Sequence, residues 1–237
     1  MDRIQPDALY DQRGDVSWSR PLLQGDVFDG IVLPGFGDDP RMVQIVAHPC
    51  AMRKGPELLP RITVAPVESY AKVTSQKDWD GNLRVMPLAE LIDGKHYATR
   101  FVDVTAAPAD LLTPGRRIAT LSNRGIYVLQ QRLIKHYTRF EVDLGALRSQ
   151  SAPVLEEAQQ QWDWIETVLT HDELSDEAKI EAEGKLFDAW LGEGDPSRRL
   201  RLQDEVNHTD IRREAQRAAA ARARERDRNS THGPPES

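Results

Sequence analysis

The chain has 237 residues, 39% of them hydrophobic and 29% charged, with a formal net charge of -7. That length suffices for one domain with an appendage or for two small domains, and no apolar run approaches the roughly 18 residues that span a bilayer. The single cysteine excludes an internal disulfide and a cysteine-rich zinc site, which leads us to expect a reducing, cytoplasmic setting without a membrane.

The first residues, MDRIQPDALYDQRGD, lack the basic-then-apolar pattern of a secretory leader. Strand patterning begins at Gly25–Leu33. Pro34–Pro40 follows, a run of Gly, Asp and Pro that reads as a turn. Its Gly-x-Gly lacks the further glycine and the following helix of a dinucleotide fingerprint. Arg41 to Ala47 predicts a second strand, with Val43, Ile45 and Ala47 on one face. A third covers Ile62–Val67, and its Pro66 places that end at a sheet edge or bulge. Shorter strands are predicted at Leu83–Pro87, Tyr97–Val104 and Arg117–Leu121. Short strands separated by turns favour a small curved barrel over a parallel sheet.

The period then changes. Apolar residues at Ile126, Leu129, Leu133, Tyr137 and Phe140 predict a helix capped by Ser122 or Asn123. Gln131, Arg132, Lys135 and Arg139 share a second face of it, with His136 at the margin. A short strand at Glu141–Leu144 is expected to close the domain. From Pro153 the stripe Val154, Ala158, Trp162, Ile165, Leu169 predicts a helix. The loop Thr170–Ser175 ends it, and a helix from Asp176 to Leu191 buries Ile180, Phe187, Trp190 and Leu191. Trp164 falls off the stripe, facing a partner or the barrel. Asp195-Pro196 predicts another start, an Asp cap with Pro at the first helical position. An arginine-rich arm follows, and the tail THGPPES is expected to fray.

The overall charge conceals a division. Residues 1–155 carry 19 Lys and Arg against 18 Asp and Glu, residues 156–196 carry 2 against 13, and residues 197–228 carry 10 arginines against 6 acids. The predicted architecture is therefore α+β: a small curved antiparallel β-barrel with one packing helix over 1–148, an acidic helical hairpin over 152–195, and a basic helical arm over 196–237. The arm has three readings: it binds nucleic acid, docks on an acidic protein, or folds back on the hairpin.

Candidate chemistry centres on VQIVAHPC. Extended geometry before Pro49 places His48 and Cys50 on one side of the chain, where an imidazole could activate a thiolate. The alternative is that Cys50 is a small buried hydrophobe and His48 caps the strand. Arg132, Lys135 and Arg139 could track a phosphate backbone, or form an ordinary solvated helix face. No Walker sequence, HExxH, GxSxG or paired metal-ligand motif occurs, so neither cofactor nor metal is expected.

LQGDVFDGIVLPG, then PRMVQIVAH, then RITVAPVES resembles the opening of the PemK/MazF barrel over residues 24–69. That family runs from a Gly-Asp-Ile/Val strand through a Gly/Asp-rich loop into a second strand beginning Arg-Pro. The resemblance implies an RNA-binding barrel and a metal-independent endoribonuclease toxin of bacterial defence. Arg41 stands where the family's catalytic arginine would, but Met42 replaces the proline, and Ala47-His48 replaces a small hydroxyl residue. Cleavage by 2′-hydroxyl attack needs a proton acceptor and a cation over the phosphorane. The resemblance offers His48 for the first and Arg41 or Arg53 for the second. The competing expectation is a non-catalytic adaptor that docks a protein partner through residues 152–228.

Overall fold

A computed structural model describes residues 5–54 and 57–231. The expected tail after residue 231 lies outside the described residues. In chain order the strands are β1 (Tyr10–Arg13), β2 (Val27–Ile31), β3 (Arg41–Ile45), β4 (Arg53–Lys54), β5 (Glu57–Leu58), β6 (Arg61–Ser69), β7 (Val85–Ile92), β8 (Lys95–Arg100), β9 (Thr105–Pro108) and β10 (Arg117–Leu121). The helices are α1 (Pro6–Leu9), α2 (Pro49–Met52), α3 (Gln76–Gly81), α4 (Asn123–Thr138), α5 (Leu144–Val168), α6 (Glu177–Gly192), α7 (Arg198–Arg201) and α8 (His208–Thr231). The chain divides into two compact units, Met1–Ser17 with Leu22–Ser151, and Trp18–Pro21 with Ala152–Ser237. Among the described residues no helix is long and apolar enough to cross a membrane.

The first unit is a nearly closed antiparallel barrel, which with the helices makes an α+β fold. Its strand order is β1-β10-β2-β3-β6-β8-β7, with β9 also on β6. The edge strands β1 and β7 are linked by Arg13, whose Nη1 donates to the Glu90 carbonyl at 2.7 Å. Inside, Phe28, Ile31, Val43, Ile45, Ile62 and Val64 interdigitate as the core. The predicted turn at Pro34–Pro40 holds: Gly35 and Gly37 sit at φ 84° and 82°, where side chains clash with the backbone.

Pro66 is not at an edge. It pairs with Val43 of β3 on one side. On the other side β6 hands over from β9, which pairs through Val64, to β8, which pairs from Val67. The missing N–H therefore falls between two partners, where no ladder bond is lost. The predicted strand at Glu141–Leu144 is absent. Asp143 instead accepts from the Gly145 and Ala146 amides at 2.8 and 3.3 Å and starts α5, so the helix begins well before Pro153.

Ser122 caps α4 as predicted. Its hydroxyl accepts from Gly125 N at 3.1 Å and donates to the Ala8 carbonyl at 2.6 Å, joining α4 to α1. The buried line of α4 then runs through Gly125, Leu129 and Arg132, not through Tyr137 and Phe140. That line selects residues four, three and seven apart, which share one helix face.

The second unit is helical. α5 and α6 contribute to one core, and Asp176 caps α6 through bonds from Ala178 N and Lys179 N. Trp164, Ile165, Phe187, Leu191, Leu202 and Ile211 form its core. The expected tryptophan roles are exchanged. Trp164 is buried, with its ring 5.8 Å from Phe187 and 5.7 Å from Trp190. Trp162 lies under the Arg20 guanidinium at 5.5 Å and donates to Glu166 Oε1 at 2.6 Å, while Ser19 reaches the same oxygen at 3.0 Å. The Trp18–Pro21 segment, distant in sequence, thus takes the place that makes Trp162 half-exposed. Asp195 does not cap the next helix either; Ser197 does, accepting from Leu200 N.

The arginine arm folds back on the hairpin. Arg212 makes a fork with Glu156 at 2.6 and 2.7 Å, Arg199 meets Glu157 and Asp188, and Arg198 and Arg201 share Glu214. Further along α8, Arg222 and Arg226 converge on Glu183, and Arg226 also reaches Glu173. The fold-back on the acidic segment, one of the three readings of the arm, is thus seen in the structure.

Candidate functional site

At the end of β3, Val46 and Ala47 both donate to the Thr63 carbonyl, which turns the chain out of the sheet. His48 is extended, at φ -68° and ψ 144°, as a residue before proline should be. Pro49 then opens α2 at the position where its missing N–H costs nothing. Cys50 consequently lies in a helical turn, not on an extended run beside His48. The His48 Nδ1 accepts from the Cys50 backbone N–H at 3.3 Å, so the imidazole caps a helix. Burial lowers the His48 pKa below its usual 6.5. The Cys50 thiol is exposed, contrary to the alternative of a buried hydrophobe, and Met52 takes the core position of this turn.

Arg41 begins β3 and holds the preceding turn. Its Nη2 donates to the Phe36 carbonyl at 2.7 Å and its guanidinium lies 5.3 Å over the Phe36 ring. Arg53 is half-buried on the two-residue β4, opposite Leu58. Arg41, His48 and Cys50 are thus close in sequence, but the hydrogen bonds of the first two run to the backbone groups of Phe36 and Cys50.

The second place is α4. Arg132, expected on the solvated face, is fully buried. Its guanidinium donates to the Trp79, Asn82 and Val85 carbonyls at 2.9–3.0 Å and stacks 4.8 Å over Trp79. Burial lowers its pKa to about 10, leaving it cationic at neutral pH. A buried guanidinium is tolerated because three carbonyls receive its protons. Lys135 pairs with Glu141 at 3.2 Å. Arg139 is exposed and ends α4 in the left-handed region at φ 65°.

What the sequence reading missed lies beside them. Tyr137 and Phe140 are 62% and 75% exposed, and Val102 is exposed as well. His136 joins these elements: its Nδ1 is 3.0 Å from the Leu83 carbonyl, and its ring is 5.7 Å from Phe101 and 4.7 Å from Tyr137. The signal that could have found them is Gly125. A small residue in a helix marks the close-packed side, and Tyr137 and Phe140 fall away from the line it starts. In the second unit the exposed large apolar residues include Leu186, Leu200 and Val206, the last two 63% and 77% exposed.

Among the described residues no group of three or more His, Cys, Asp and Glu is arranged to hold a metal ion. No protein-family model matches the chain, and no curated protein matches it.

Proposed function

We propose that this protein is a non-catalytic docking subunit of a larger bacterial, cytoplasmic assembly. The observation that carries the reading is the exposure of large apolar side chains: Tyr137 and Phe140 in the barrel unit, Leu200 and Val206 in the helical unit. Isolated exposed apolar residues are ordinary, but aromatic side chains more than half exposed are the residue type that anchors protein interfaces. The use of Arg41 and His48 as backbone clamps, on the Phe36 carbonyl and the Cys50 N–H, favours the same reading. The test is affinity capture with the full chain against Tyr137→Ser/Phe140→Ser and Leu200→Ser/Val206→Ser variants. A stoichiometric partner that is lost with either variant supports docking. Equal recovery with all three proteins would sink it.

A second reading is an RNA-binding barrel of the PemK/MazF kind, in a toxin or phage-defence setting. Lys135 and Arg139 on the last turn of α4, next to exposed Tyr137 and Phe140, favour it: cations hold phosphates and aromatic rings stack bases. Purified protein with end-labelled single-stranded RNA separates the readings. A gel shift weakened by Arg139→Ala supports RNA binding. Discrete fragments lost on His48→Ala or Arg41→Ala would mean that the barrel is an endoribonuclease and not a docking subunit.

A further inference from the structure

We propose that the last turns of α8 form an ion-pair latch that exchanges its carboxylate partners for the phosphates of a nucleic-acid backbone. The inference does not depend on the docking reading.

The two halves of α8 are held differently. Ile211, Ala215 and Ala219 are buried and belong to one face, so the first half is anchored by apolar packing. Past Ala219 that face continues as Arg222 and Arg226, and no side chain from Ala220 to Asn229 is buried. The contacts that replace packing are ionic: Arg222 to Glu183 at 3.3 Å, Arg226 to Glu183 at 3.0 Å, and Arg226 to Glu173 at 2.8 Å. Association by ion pairs alone is weakened by salt in a way that apolar packing is not.

The carboxylate at the centre is poorly served. The Glu183 side chain is 2% exposed, and both guanidiniums meet the same oxygen, Oε1. Its Oε2 and the Arg222 Nε are buried with no hydrogen-bond partner. A half-satisfied buried carboxylate retains much of its desolvation cost, so opening the latch returns hydration to Glu183 and offsets the lost pairs. A phosphodiester presents two free oxygens to a guanidinium fork, which matches Arg better than one shared carboxylate oxygen does. The released segment, AARARERDR from Ala220 to Arg228, keeps high helix propensity, so it need not unfold to exchange partners.

The experiment uses the full chain and a labelled single-stranded oligonucleotide of about 20 nucleotides. Glu173→Gln/Glu183→Gln opens the latch, and Glu177→Gln/Glu181→Gln changes the net charge equally on the exposed surface of α6. The latch variant is expected to bind roughly tenfold tighter than wild type, with a log–log salt slope steeper by about 1.4 for two released arginines. The control variant is expected to differ from wild type by less than about twofold. Equal gains in both variants overturn the proposal, as does no gain in the latch variant. Polyglutamate binding the open form as tightly as the oligonucleotide would overturn the assignment to phosphate. Should the double variant fail to fold, hydrogen exchange on wild type decides. Raising salt from about 50 to 500 mM should accelerate amides 222–228 while 211–219 stay protected. Uniform protection along α8 overturns the latch.

Discussion

Arg132 illustrates how one side chain can invert a surface argument. A guanidinium has five donors, and here its acceptors are the backbone carbonyls of Trp79 in α3, Asn82 in the connection after it and Val85 at the start of β7. Replacing it by Met keeps the stem's volume but leaves those carbonyls without their donor. Arg132→Met is expected to destabilise the barrel unit by on the order of 3 kcal/mol, measured by urea unfolding, because buried unsatisfied groups cost about 1–3 kcal/mol each. A stability change near zero would return Arg132 to the solvated face. His48 tells the same story on a smaller span: its ring is occupied by the turn it caps, two residues away.

The elements are joined by backbone approaches that small residues permit. Where α1 meets α4, a Cβ on Gly125 would lie 2.3 Å from the Leu9 carbonyl oxygen, closer than any real contact. That carbonyl also accepts from Ser122 N at 3.0 Å, so it cannot move without breaking the cap. Gly125→Ala therefore gains helix propensity and still loses stability, by about 1–3 kcal/mol through overpacking. Thermal melts would read this directly, and a stabilised variant would mean that α1 yields. Strand β6 shows a comparable accommodation, since its Pro66 sits where two neighbouring strands exchange places.

Across the helical unit the decisive quantity is the pairing of 156–196 acids with 197–228 arginines. Glu173 is held at about 2, far below its usual 4.5, by the Lys179 ammonium, the Thr170 backbone N–H and Arg226. Burial raises Glu156 and Glu214, but Arg212 and Gln160 outweigh it for the first, and Arg201 and Arg198 for the second, so both are lowered. A carboxylate whose folded pKa lies below its unfolded one adds stability above the unfolded value and loses it as pH falls through the folded value. The helical unit should therefore weaken between about pH 4.5 and 2. Tryptophan fluorescence, with Trp164 and Trp190 in that core, is the readout. A signal flat to pH 2 would mean that the pairs contribute nothing to folding.

Features carried by neighbours in sequence were legible without tertiary structure. The turn of Gly35 and Gly37, the strand Arg117–Leu121, the Ser122 cap and the start of the helix at Asp176 all follow from backbone rules acting over a few residues. The candidate site was less so. Whether Arg132 faces water or carbonyls depends on α3 and β7, some fifty positions away. Whether Trp162 or Trp164 enters the core depends on Trp18–Pro21 lying against α5. The arm's charge left nucleic acid, an acidic protein and the chain's own acidic segment open, and only folding brought that segment against it. Local propensities act through the backbone and can be read in order along it. Burial and charge pairing depend on which distant residues arrive, and that is set by the packing of the whole.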